Sequence, residues 1–151
     1  MPKQPSSDAL YRTAGEALHV GQVLEVNVRT LISILNTRLA ANLDADAIIL
    51  AEDKRTLGRL IATLRPMAQF CPETEAALAV ALSARNHIAH EFFIRHVGAF
   101  SNNEDMEEAM FRLHERQKEI VVATAITASF VEGFCKEFNI KLSDVLIRQD
   151  I

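Results

Sequence analysis

A guanidinium, a carboxamide and two imidazoles fall within ten residues, Ala84-Arg85-Asn86-His87-Ile88-Ala89-His90-Glu91-Phe92-Phe93. Arginine grips a phosphate through paired hydrogen bonds, and imidazole is the side chain best suited to move protons near neutral pH. Together these groups suffice to hold a phosphodiester and shuttle a proton, with no metal required. Arg85, Asn86 and His90 are therefore the candidate catalytic residues, with Glu25, His87 and Glu91 in support. Asn86 and His90 are four apart and share a helix face. Arg85 and His90 are five apart, which at 100° per residue separates them by about 140° around the axis and ~7.5 Å along it. One helix cannot easily turn both to the same phosphate. Two copies crossing on a twofold axis can, so the spacing argues for a shared site in a homodimer.

The elements that must carry these residues read as helices. Apolar residues at Leu10, Ala14, Ala17, Leu24, Val28, Leu31 and Leu35 alternate by threes and fours, predicting a first helix from about Asp8 to Ala40. At ~50 Å it is long enough to leave part of its length for a second chain. A neighbouring stripe, Tyr11, Leu18, Glu25, Ile32, Leu39, contains one carboxylate among apolar side chains. Asn42-Leu43-Asp44 reads as a break, and Asp46 as the cap of a short turn through Ala51. Thr56 opens a short second helix carrying Leu57, Leu60, Ile61, Leu64 and Met67, in which Gly58 marks close packing. Pro72 with Glu73 and Glu75 starts a third helix, expected to run to Val97 and end at Gly98. Ser101-Asn102-Asn103-Glu104 fits a capping box for a fourth helix, through Met106, Met110, Leu113, Ile120, Thr124, Thr127, Val131, Phe134 and Phe138. Asn139 stops it, and Ser143 caps a last turn. The fold class is all-α: an up-and-down bundle of four main helices plus short extra helices, in one domain over residues 1–151 with about 1–7 flexible.

On the third helix the buried stripe is predicted as Leu78, Leu82, Arg85, Ala89 and Phe92. Arg85 then faces the core and needs a partner, and Glu25 is the matching charge on the first helix. Glu91 and Arg95 form an i,i+4 ion pair on a wet face. His87 and Glu91 also have metal-ligand spacing, but a site needs three or four ligands and only the isolated His114 or Glu25 is in prospect. No metal and no other cofactor is expected. His96 and His114 read as surface residues. Phe92-Phe93 and the row Phe130, Phe134, Phe138 read as core and dimer packing rather than as a base platform.

Composition bounds the partners. A net charge of −4 argues against non-specific nucleic-acid binding as the surface's main business. The charge is uneven, however. Asp44, Asp46, Glu52, Asp53 and Glu104, Asp105, Glu107, Glu108 form acidic clusters, whereas residues 84–97 hold two arginines and three histidines against Glu91 alone. An anion fits there. Cys71 and Cys135 lack metal-binding spacing and read as reduced thiols. Neither a membrane span nor a signal peptide is predicted, so the expected location is the cytoplasm.

Arg85-Asn86-x-x-x-His90 on a late helix of an α-bundle resembles the motif of the HEPN superfamily, in which Arg, followed by a polar residue, is separated from His by four to six intervening residues. The bare spacing recurs at Arg12 and His19; Asn86, the flanking Ile88-Ala89-His90-Glu91-Phe92-Phe93 and the place in the penultimate main helix distinguish the second match. The resemblance implies a metal-independent endoribonuclease with a composite site in a homodimer, often a toxin or defence effector held by a cognate antitoxin or regulatory protein. It implies His90 as general acid or base, Arg85 as stabiliser of phosphoryl charge, and Asn86 as an orienting group. Some toxin members carry a modified Tyr two residues after the His; here Phe92 stands there. The chain is more distantly similar to the mannitol operon repressor family, through Leu57-Gly58 ahead of the Arg/Asn/His stretch. That likeness implies a non-enzymatic dimeric helical regulator or adaptor, in which the polar residues fix helix register.

Overall fold

A computed structural model describes residues 5–38 and 56–146. Among them the chain is helical without strands. The long helices are α1 (Ser7–Arg38), α2 (Leu57–Ala68), α3 (Pro72–His90) and α5 (Asn103–Glu137), and the short ones are α4 (Phe92–Arg95) and α6 (Leu142–Leu146). A 3₁₀ turn, Val97–Phe100, joins α4 to α5. The expected break at Asn42–Asp44, the turn from Asp46 to Ala51, Leu39 and residues 1–4 lie outside the described residues. No described helix is long and apolar enough to cross a membrane.

The 3–4 stripe of α1 is buried along its whole length, from Leu10 to Leu35. What covers it is α5, a helix of 35 residues against the 32 of α1. The buried stripe of α1 is thus matched in length by a neighbour within the chain, while Tyr11, Val23 and Val26 on its other faces are exposed. The two run in the same direction. Asn27 donates from Nδ2 to the Thr124 carbonyl (3.2 Å) and the Thr127 hydroxyl (3.1 Å), Tyr11 stacks near Phe100, and Ser33 and Thr37 meet Ile140 and Asp144. α3 runs against both, since Glu25 meets Arg85 while Tyr11 meets Phe93, and Phe70 meets Phe130. α2 and α3 form an antiparallel pair tied by Arg65 and Glu75 at 2.6 Å. The up-and-down order expected therefore holds from α2 through α3 to α5, while α1 and α2 point the same way.

Helix ends follow local chemistry, with some shifts from expectation. Pro72 in the first turn of α3, with Glu73 and Glu75 beside it, starts the helix as predicted. The cap of α5 is one residue later than expected. Asn102 accepts from the Asp105 amide at 2.8 Å and its own amide donates to the Asp105 carboxylate at 2.7 Å, displacing the Ser101/Glu104 arrangement. At the other end Asn139 takes φ 53°, while the amides of Ile140 and Asn139 bond the carbonyls of Cys135 and Lys136. This is a Schellman closure, in which the left-handed residue satisfies carbonyls the helix leaves open. Thr56 precedes α2 but makes no side-chain cap bond, and Ser143 lies within α6 rather than capping it.

α3 departs most from expectation. Its buried residues are Thr74, Leu78, Ala81, Ala84 and Ile88, so the inward stripe is rotated from the predicted one. Leu82 and Arg85 sit at its edge and Ala89 is exposed. The small side chains Ala81 and Ala84 let α3 press close to its neighbours. Leu82 turns aside toward Gly58, where an added Cβ would meet it at ordinary contact distance, so the close packing expected at Gly58 does not require glycine. The helix also stops at His90 rather than Val97. Glu91 leaves helical geometry (φ −122°, ψ −31°), Phe92 is fully buried, and a new turn begins. Gly98 is not a left-handed stop: a Cβ there would come within 2.7 Å of the Asp105 carboxylate, which Asn102 holds in place.

Asn102→Ala removes both cap bonds of the longest described helix. It is expected to cost about 1 kcal/mol and to lower the melting temperature by roughly 2–4 °C, whereas Asn102→Ser keeps an oxygen to accept from the Asp105 amide and is expected to fall between the two. Thermal unfolding of the three proteins by circular dichroism checks this; equal midpoints would show that the cap contributes nothing.

Candidate functional site

Arg85 leaves α3 at the edge of its buried stripe and reaches across to α1. Its stem lies over Gly21, where a Cβ would come within 3.1 Å of Arg85 Cγ, and its Nη2 donates to Glu25 Oε1 at 3.1 Å. Gly21 and Glu25 are one helical turn apart on α1, so one clears the path and the other ends it. The Glu25–Arg85 pair expected from the two stripes thus forms. Its side chains retain 27% (Arg85) and 18% (Glu25) of their exposure, so the ions are partly desolvated while Arg85 keeps a wet edge. From that edge Nη1 donates to Asn86 Oδ1 at 3.3 Å.

Asn86 and His90 are exposed on the outward face of α3, one turn apart as the spacing requires. His90 is the last residue of the helix. Arg85 and Asn86 are thus linked, while His90 stands apart from the guanidinium on the outer face. The angular separation read from the sequence is preserved.

His87 turns the other way, toward α5. Its Nδ1 is 3.7 Å from Glu91 Oε2, and its ring meets the edge of Phe92. Partial burial pushes its pKa below the ordinary imidazole value, and the Arg116 guanidinium on α5 pushes the same way, as do Arg95 and His96. Glu91 opposes them. Glu91 itself is held by Arg95 at 2.7 Å, the expected i,i+4 pair. His96 packs on Phe92 with centroids 4.7 Å apart, so it is not the free surface residue expected; His114 is exposed. Among the described residues no three His, Cys, Asp or Glu gather where a metal ion would sit. Cys71 and Cys135 are both free thiols.

Sequence reasoning passed over Gly21 and Arg116. The signal for Gly21 is a glycine inside a long helix, a cost of about 1 kcal/mol in propensity that asks for a packing reason. The signal for Arg116 is a gap: the apolar alternation of α5 jumps from Leu113 to Ile120, and Arg116 and Gln117 fill the skipped turn. These half-buried polar residues face the level of α3 that carries His87.

The arrangement is chemically specific. One guanidinium is anchored at a helix–helix edge, a carboxamide is oriented by it, and an imidazole stands free one turn on. No family model, no curated protein and no solved structure matches this chain.

Two measurements probe the assembly. In a double-mutant cycle with Glu25→Gln and Arg85→Met, the pair is expected to show a coupling of about 1–2 kcal/mol, between the values for exposed and buried pairs. A coupling near zero by urea unfolding would mean that the contact holds nothing. The second concerns acid. Because the folded state disfavours protonated His87, its contribution to stability is present above about pH 6.5 and is lost as pH falls through the lowered folded value. His87→Gln is therefore expected to flatten the decline in urea midpoints between about pH 6.5 and pH 5; an unchanged decline assigns it to other groups.

Proposed function

We propose that the chain is a metal-independent endoribonuclease of HEPN type, acting as a homodimer whose site is shared between two copies. The observation that carries the reading is the outward presentation of Asn86 and His90 beside an anchored Arg85. The exposed face around them is Ala76, Ala79, Val80, Ser83, Asn86, Ala89 and His90, with no charge on it. The outer faces of α1 and α5 are studded with charge by comparison, at Arg12 and Glu16 and at Glu108, Arg112 and Glu115. A small-residue, uncharged helix face lets a second copy come close without stranding ions. Two α3 helices crossing there bring His90 of one copy toward Arg85 and His90 of its partner.

In that arrangement one His90 takes the proton of the ribose 2′-hydroxyl as its oxygen bonds phosphorus. The other His90 gives a proton to the departing 5′-oxygen as the P–O bond breaks. Arg85 holds the non-bridging oxygens as charge builds on them, while Glu25 fixes the guanidinium and Asn86 orients it or the strand. A toxin or defence role with a cognate antitoxin or regulatory protein, and a cytoplasmic location, follow from the same resemblance.

A second reading has its own observation. The guanidinium of Arg85 is already matched by Glu25, and the chain is acidic, which suits a non-enzymatic dimeric regulator or adaptor similar to mannitol operon repressor proteins. Cleavage separates the two. Incubated with tRNA or total RNA in EDTA, the wild type is expected to cut, while Arg85→Ala and His90→Ala lose at least about a hundredfold in rate. Mixing wild type with an excess of His90→Ala, unfolded and refolded together, is expected to depress activity below that of the same amount of wild type refolded alone, since a mixed dimer holds a single His90 where the reaction uses two. No cleavage by a folded wild type supports the regulator, and activity in both single variants removes the site assignment. Activity that stays in proportion to the wild-type chain present places the chemistry within one chain.

A further inference from the structure

Tyr11, Phe93 and Phe100 make an aromatic cluster unlike the rest of the interior. Their ring centroids form a nearly equilateral triangle of 5.2, 5.7 and 6.5 Å, and their planes differ by only 29°, 28° and 25°. By contrast, buried Phe92 meets both His87 and Phe93 edge-on, at 86°. Stacked rings cover part of one another's faces, but rings at the outside of such a cluster keep one face for a further ring. Two of the three reach solvent: Tyr11 is 57% exposed and Phe100 40%.

The cluster is continuous with the candidate site on two helices. Tyr11, Leu18 and Glu25 recur every seven residues along α1, so the ring and the carboxylate that anchors Arg85 lie on one edge of that helix. Phe93 follows His90 by three residues, and the break at Glu91 turns it against Tyr11. Arg12 and Arg95 stand near in sequence on the two sides of the rings and supply cations for a phosphate backbone, with Asp8 and Glu91, the partner of Arg95, opposing them.

We propose that Tyr11, Phe93 and Phe100 form a stacking platform for an unpaired base of the RNA strand whose phosphate is held at Arg85 and His90. The proposal rests on the ribonuclease reading and adds to it a preference for single-stranded substrate. A base stacks on an aromatic face whatever its identity, so the platform positions the strand without reading its sequence. The strand's unpaired bases satisfy this requirement, and those of a duplex do not, because their faces are already covered. A protein partner seated on the same rings, widened by the exposed Ile94 and Val97, is the competing occupant.

The chain provides its own probe. Tyr11 is its single tyrosine and it has no tryptophan, so its intrinsic emission reports on the platform alone. The full chain with His90→Ala, which leaves RNA uncut, is titrated with a short single-stranded oligoribonucleotide, correcting for absorbance. The emission is expected to quench saturably, and a duplex of the same length to quench far less. Phe100→Ala is expected to weaken binding by roughly tenfold and to raise KM rather than lower kcat in the otherwise wild-type enzyme. Binding seen by gel shift without quenching, or cleavage indifferent to Phe100→Ala, overturns the platform and leaves the ribonuclease standing. A wild type that neither binds nor cuts RNA overturns both. Emission that changes with protein concentration alone assigns the rings to contact between copies and overturns the platform.

Discussion

A half-buried guanidinium has few tolerable places in a helical bundle, and Arg85 occupies one because Glu25 meets it and Gly21 lets it pass. Leaving either ion without the other would strand a charge at an apolar edge. The pair therefore constrains how α3 is turned against α1. With Arg85 at the α1 edge, helical geometry points Ala81, Ala84 and Ile88 inward and Asn86 and His90 outward. The outward presentation of Asn86 and His90 is a consequence of an ion pair one step inside it.

Opposite that edge, α3 meets α5 through a different polar contact. His87 sits beside Arg116 and Glu91, at a level where the apolar stripe of α5 is interrupted. The last two turns of α3 are thus bordered by an anchored arginine on one flank and, on the other, a histidine whose protonation burial and Arg116 disfavour. Phe92 closes the space beneath them, fully buried and ringed by His87, Phe93 and His96. The break at Glu91 serves this packing: it seats Phe92 in the core while Phe93 turns toward Tyr11. Neither glycine nor proline is involved.

How much of this was legible depended on how uneven each helix is. The inward stripe of α1 was legible residue by residue because polar and apolar positions alternate strongly over many turns. The Glu25–Arg85 pair was legible because each is the lone charge among apolar neighbours. The phase of α3 was not, because alanine, valine and leucine occur all around it between Glu75 and Arg85, and several rotations bury equal apolar surface. Only contacts from other helices choose among them, such as Gly58 under Leu82 and Gly21 under Arg85. The stop at His90 was hidden for a similar reason: nothing in Glu91 itself opposes a helix, and the deciding contact belongs to Phe92. Gly98 was assigned to the wrong need, since it provides room for a held carboxylate rather than a left-handed turn.

The shared direction of α1 and α5 has an electrostatic consequence. Adjacent antiparallel helices cancel one another's dipoles, but here two of the longest described helices begin at the same end of the bundle, near where α3 finishes. Each contributes the equivalent of about half a positive charge there. Asp8 in the first turn of α1, and Glu104 and Asp105 in that of α5, lie against those ends. Part of the acidity in these first turns is thereby matched locally by backbone. α3 ends there with the opposite sign, at His90, so its dipole offsets one of the two and the three helices leave about half a positive charge from backbone at that end of the bundle.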